Sequence, residues 1–249
     1  MKRFFCLMLA LLPAAHAADW QREQRMADEI VDAILDGDAL WLNDGTRAFL
    51  GIYTEADEAA GGAIILHGRG FHPDWSDTVN PLRVGLAEAG WNTLSLQMPV
   101  LHKTAKYFDY VPILPEAFPR IEAGIDFLRR QGNEKIVIIA HSCSFHMVNA
   151  WIRAGRFKQV DALVGIGMGA TDYQQKMVDA FQLDKLDVPV LDIYGADDYP
   201  AVKRLAPVRW QQIQRHPKSR QIVLPDADHY FSDRGDALVK QVSDWLQTL

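Results

Sequence analysis

The stretch Lys135-Ile136-Val137-Ile138-Ile139-Ala140-His141-Ser142-Cys143-Ser144 decides how this chain is read. Ile136, Val137, Ile138 and Ile139 are all β-branched and follow one another without a polar break. That composition suits a strand buried on both faces, the kind found in parallel sheets. Ser142 falls just past this strand, and a helix-like segment begins near Ser144. The placement matches a nucleophile elbow, a strained strand-to-helix turn that lifts a serine hydroxyl clear of the backbone at a helix N-terminus. The usual pattern is Gly-x-Ser-x-Gly. Here Ala140 and Ser144 stand at the two glycine positions, so small residues remain where the turn is crowded.

Working outward, the chain alternates between two periodicities. Residues 20–35 place Met26, Ile30, Val31 and Ile34 at helical spacing, which predicts an amphipathic lead-in helix. Residues 40–42 and 48–53 are apolar and flank Asp44-Gly45, a hairpin signature. Further strands are expected over 63–66, 91–96, 136–140, 162–166, 188–194 and 221–224. Helices are expected over 81–89, 116–130, from Ser144, over 202–215 and over 236–246. The expected architecture is α/β, a mostly parallel sheet of about eight strands with an N-terminal antiparallel hairpin and helices on both faces. Two long connections, 97–115 and 167–187, are candidates for a cover over the strand ends, where ligands bind in such sheets.

A serine becomes a nucleophile at neutral pH only with a base, and the base needs an orienting carboxylate. Both follow Ser142 in the order required, each just after an expected strand. Gly195-Ala196-Asp197-Asp198 comes after 190–194, and Asp226-Ala227-Asp228-His229-Tyr230-Phe231 comes after 222–224. Asp197 competes with Asp198 for the orienting role, and Asp192 is an odd charge in mid-strand.

At these residues the chain resembles the α/β-hydrolase superfamily, over nearly all of residues 18–249. Leu66-His67-Gly68-Arg69-Gly70 resembles the His-Gly turn after that fold's third strand. Gly195-Ala196-Asp197-Asp198 resembles its acid turn, and Asp228-His229-Tyr230-Phe231 its histidine loop. The segments Gly68-Arg69-Gly70-Phe71-His72-Pro73-Asp74-Trp75 and Trp91-Asn92-Thr93-Leu94-Ser95-Leu96 are similar to a bacterial, often exported, branch whose members generally carry no assigned substrate. The resemblance implies Ser142 as nucleophile, His229 as general base and Asp198 as orienter, in a serine hydrolase acting on an ester or related acyl bond of a small molecule. The alternative is a binding or accessory protein of the cell envelope that keeps the fold without turnover.

Acyl transfer also needs N–H donors aimed at the developing oxyanion. The expected donors are Cys143 and, from the His-Gly turn, Arg69 in preference to Gly70. The Arg69 side chain is a candidate contact for an anionic substrate group. Gly70, His72, Tyr107 and Tyr110 are candidate pocket residues, while His67, His141 and His146 read as packing histidines. Cys143 reads as a small filler beneath the turn, its alternative being a thiol nucleophile. No His-x-x-x-His or paired-cysteine spacing and no glycine-rich phosphate loop occurs, so neither metal nor cofactor is expected.

The chain has 249 residues, 49% of them apolar, enough for a sizeable core. Its formal charge of −6, with no basic cluster, argues against nucleic acid as a partner. Lys2 and Arg3, an apolar run over 4–12, Pro13 and Ala15-His16-Ala17 follow the order of a secretory signal peptide. The run is too short to span a bilayer, so cleavage after Ala17 is expected rather than an uncleaved anchor. The protein would then be periplasmic or secreted. Cys6 lies at the start of the apolar run, which excludes a lipoprotein reading. Removal of residues 1–17 takes away two basic residues and no acid, so the charge moves from −6 to −8. Cys143 is then the single cysteine, and no internal disulfide is available.

Overall fold

The computed structural model describes residues 17–249. Residues 1–16, with most of the expected signal peptide, lie outside the described residues. Eight strands form one sheet: β1 (Asp38–Asn43), β2 (Ala48–Thr54), β3 (Gly62–Leu66), β4 (Asn92–Leu96), β5 (Ile136–His141), β6 (Ala162–Ile166), β7 (Val190–Gly195) and β8 (Arg220–Leu224). Their spatial order is β1-β2-β4-β3-β5-β6-β7-β8. β1 pairs antiparallel with β2, and β2 antiparallel with β4. All other neighbours are parallel. The Asp44 carboxylate closes the β1–β2 turn by accepting from the N–H groups of Thr46 and Arg47 at 2.9 Å each.

Among the described residues, seven α-helices accompany the sheet: α1 (Trp20–Ile30), α2 (Val79–Glu88), α3 (Tyr107–Tyr110), α4 (Phe118–Arg130), α5 (Cys143–Arg153), α6 (Pro200–Ile213) and α7 (Gly235–Leu246). The alternation of side chains along each central strand divides the core into two layers. Ile64, Leu66, Ile138 and Ala140 face a layer with Ile121 and Ile125 of α4 and Phe145, Val148 and Trp151 of α5. Ala63, Ile65, Val137 and Ile139 face the opposite layer, with Leu82 and Leu86 of α2 and Leu238, Val242 and Trp245 of α7. β5 is covered on both sides, as its unbroken apolar run requires.

Two expectations change. The lead-in helix stops at Ile30, and one 3₁₀ turn over Val31–Ala33 replaces its last part. Its most buried residues are Glu23 and Ala27, while Met26, Ile30, Val31 and Ile34 are only half-buried. The cause is an ion pair: Arg120 of α4 reaches Glu23 at 2.8 Å, and both side chains are enclosed. The second change concerns the two long connections, which are partly ordered. The first carries α3 and a 3₁₀ segment over Val111–Ala117, and the second a 3₁₀ turn over Leu183–Lys185. No helix among the described residues is long and apolar enough to cross a membrane.

Candidate active site

β5 ends at His141, and Ser142 turns the chain into α5 with φ 56° and ψ −114°. Positive φ is costly for a residue with a Cβ and persists only where the surroundings impose it. Here Ser142 N–H donates to Ile166 O of β6 at 2.9 Å, and Phe145 N–H closes back onto Ser142 O at 3.0 Å. The turn leaves Ser142 bordering the cavity.

His229 sits in the loop after β8 and Asp198 in the loop after β7. His229 Nδ1 lies 2.7 Å from Asp198 Oδ1, and His229 Nε2 lies 2.8 Å from Ser142 Oγ. A carboxylate only accepts, so Nδ1 carries the proton and Nε2 is free to accept from the serine hydroxyl. Asp198 Oδ1 also accepts from Tyr199 N–H at 2.6 Å. The Tyr199 ring lies over the imidazole at a centroid distance of 4.5 Å, and its hydroxyl meets that of Tyr230 at 2.8 Å. Gly167 makes the histidine's approach possible: a Cβ there would stand 2.8 Å from His229 Cε1 and 3.3 Å from Asp198 Oδ2.

The competing acids are placed elsewhere. Asp197 is exposed, and its N–H is bound to Ala227 O. Asp192 is fully buried and paired with Arg209 Nε at 2.7 Å, with Gln221 at 2.6 Å. That pair explains the mid-strand charge as an internal link between β7, β8 and α6.

The backbone N–H groups of Cys143 and Arg69, residues that line the same cavity as Ser142, donate to no protein acceptor among the described residues, as do those of Ala170, Thr171 and His229. Cys143 opens α5, where the helix leaves its first N–H groups unpaired. Arg69 is the second residue of the turn Gly68–Phe71, closed by Phe71 N–H to Gly68 O at 3.3 Å. Gly70 provides the positive φ of 73° that this turn needs at its third residue. Its carbonyl accepts from Arg22 at 3.1 Å.

The cavity beside Ser142 measures about 50 Å³ and is lined chiefly by Arg69, Phe71, Tyr107, Ser142, His229 and Tyr230. A larger one, about 450 Å³, lies away from it between α1 and the β1–β2 hairpin. Tyr107 therefore lines the site. Gly70, His72 and Tyr110 do not: Gly70 turns toward α1, His72 accepts from Asp74 N–H, and the Tyr110 hydroxyl accepts from Leu101 N–H. Phe71, Thr171, Tyr199 and Tyr230 line the cavity without having been singled out, and so does Ala170. Asp172 escaped the sequence reading as well. It holds Arg69 through two hydrogen bonds at 2.7 and 3.1 Å and accepts Tyr107 N–H at 2.6 Å. It thereby ties both cover loops to the His-Gly turn. Its burial raises the carboxyl, but the Arg69 and Tyr107 hydrogen bonds outweigh that and hold it below the usual range.

Burial pushes the Cys143 thiol up to about 12, so it stays protonated at neutral pH. A protonated thiol is a poor nucleophile. Cys143→Ala, which keeps the N–H, is expected to leave turnover within a few-fold of the unmodified protein. A loss as large as that of Ser142→Ala, read by ester hydrolysis, would transfer the attack to sulfur.

Ser144 lies in the first turn of α5 and is packed against the sheet. Its hydroxyl points to the carbonyls of Leu66 and His141, at 2.8 and 2.9 Å, and has no exposure. Both carbonyls, at the ends of β3 and β5, lie within reach of the single hydroxyl hydrogen, which can serve one of them at a time.

His67, His141 and His146 are packing histidines with one ring nitrogen each on a backbone carbonyl: Gly68, His229 and Ala170. Burial lowers them to about 3, about 3 and about 4. Their folded values lie below the unfolded value of about 6.5. Their contribution to stability is therefore complete above about pH 6.5 and is lost as pH falls, when the unfolded chain binds protons that the folded one refuses. Three such groups give at most about 4 kcal/mol per pH unit. The melting temperature is expected to drop steeply from about pH 6 to about pH 4. A flat profile over that window would mean that these rings ionise in place.

The sequence matches, over residues 5–109 and 113–248, a family described as "Protein of unknown function (DUF3530)". The chain belongs to this family. No curated protein matches it. Among solved structures, this DUF3530 chain is similar to an α/β serine hydrolase homologue from Coxiella burnetii. The identity is 14%, over 85% of this chain and 98% of that one, with a TM-score of 0.63. It is also similar to Est1E from Butyrivibrio proteoclasticus, with 16% identity, 84% and 98% coverage and a TM-score of 0.64. A serine hydrolase without lid from Xanthomonas campestris matches at 15% identity, 86% and 95% coverage and a TM-score of 0.64. At such identities the likeness is one of fold, and the fold is that of the α/β hydrolases.

Proposed function

We propose that this DUF3530 member is an exported serine hydrolase that cleaves a carboxylic ester or related acyl bond of a small molecule. The observation that carries the reading is the chain of contacts Asp198–His229–Ser142, at 2.7 and 2.8 Å, assembled at the carboxyl ends of three parallel strands. Ser142 Oγ attacks the acyl carbon and passes its proton to His229 Nε2. Asp198 holds the imidazolium that forms. The N–H groups of Cys143 and Arg69 bind the oxygen on which negative charge develops. Collapse of this intermediate expels the alcohol, which takes its proton from His229. Water then enters by the same steps to release the acid and restore the serine.

The size of the cavity narrows the substrate. About 50 Å³ is far below the space a drug-sized ligand occupies, typically ~300–1,000 Å³, and suits a short acyl group. The folded protein is expected to react covalently with a fluorophosphonate probe and to hydrolyse acetyl esters faster than octanoyl esters. A folded protein that reacts with neither would favour the accessory reading. A preference for octanoyl would show that the cover formed by Tyr107, Thr171 and Tyr199 moves aside for substrate.

A further inference from the structure

We propose that Glu116 is the binding site of an N-terminal ammonium created by cleavage between Ala17 and Ala18. Two independent observations meet at this residue. The order of charge, apolar run and Ala15-His16-Ala17 places the cut of a signal peptidase before Ala18. In the folded chain, Ala18 N lies 3.3 and 3.2 Å from the two carboxylate oxygens of Glu116, which straddle it almost evenly.

A peptide N–H has one hydrogen and cannot serve two oxygens well, whereas an ammonium has three. Glu116 has no other hydrogen-bond partner and no cation within ion-pair distance among the described residues. It is half-buried, so its charge is incompletely served by water. The flanking residues agree with a terminus at this point. Ala17 is exposed, while Ala18 is 7% exposed and packs into the core layer of α4 and α5. The cut itself is a hydrolysis: one water is consumed, the carboxylate stays on Ala17, and the new amine on Ala18 takes up a proton.

The site has a consequence for the neighbouring loops. Asp19 N–H donates to Val100 O at 2.7 Å, and its carboxylate accepts Arg22 N–H at 3.0 Å. Arg22 in turn donates to the carbonyls of Gly70 and Leu101. Pinning Ala18 therefore pins the start of α1 against the turn that carries Arg69. The ammonium site rests on the export proposed above and not on the reaction proposed for Ser142.

Mass spectrometry of the full chain exported by a bacterial host is expected to show a protein beginning at Ala18. Any other first residue overturns the proposal. Two purified chains, beginning at Ala18 and at Ala17, then isolate the charge at this position, each made with and without Glu116→Gln. The chain beginning at Ala18 should melt about 3 °C above the one beginning at Ala17. With Glu116→Gln the two should melt together. Equal melting of the first pair, or a difference that survives Glu116→Gln, refutes the site.

Discussion

Ser142→Ala is expected to abolish fluorophosphonate labelling and to lower ester turnover by about 10⁴-fold or more, with the fold intact. Ser144→Ala should keep both. The two hydroxyls lie two residues apart but in opposite situations. Ser142 Oγ lies 2.8 Å from His229 Nε2 and borders the cavity. Ser144 Oγ has no exposure, and its one hydrogen is taken up between two main-chain carbonyls within reach. Removing it should cost about 1 kcal/mol of stability through an unpaired buried carbonyl, seen as a lower melting temperature without loss of rate. Labelling that persisted in Ser142→Ala and disappeared in Ser144→Ala would exchange the two roles.

Most of the scaffold was legible because its signals are local. The apolar run 136–139 reads as a buried strand wherever it lies, and β5 is buried throughout. Ser142, Asp198 and His229 lie in the turns and loops that follow β5, β7 and β8. Once the strands align in parallel, their carboxyl ends carry all three to one edge of the sheet. What stayed hidden depends on partners far away in the chain. Asp172 meets Arg69 across 103 residues, and Glu23 is buried by Arg120 rather than by any pattern within its own helix. Met26, Ile30, Val31 and Ile34 suggested a different buried face because hydrophobic periodicity contains no information about a buried ion pair. Tyr199 and Tyr230 belong to the same class, since their hydroxyl contact arises only when the loops after β7 and β8 converge.

Asp198→Asn tests the remaining assignment, and its expected effect follows from charge more than geometry. Asp198 Oδ1 is held by Tyr199 N–H as well as by His229, so the amide oxygen of Asn can stay in place and keep the histidine tautomer. What disappears is the negative charge beside the imidazolium that the proposed attack would form. At about 4 Å and an effective dielectric of about 20, that attraction amounts to about 4 kcal/mol. The corresponding loss in kcat is about 10³-fold. Asp197→Asn removes an exposed charge and should change kcat by less than a few-fold. Asp192→Asn separates cleanly from both. It breaks the buried pair with Arg209, so it should cost about 3–5 kcal/mol of stability while the surviving folded fraction retains its rate. Kinetics and thermal melts on the three variants therefore give three different signatures. A large rate loss in Asp197→Asn would move the orienting role back by one residue. A stability loss without a rate loss in Asp198→Asn would mean that the carboxylate braces the loop instead of serving His229.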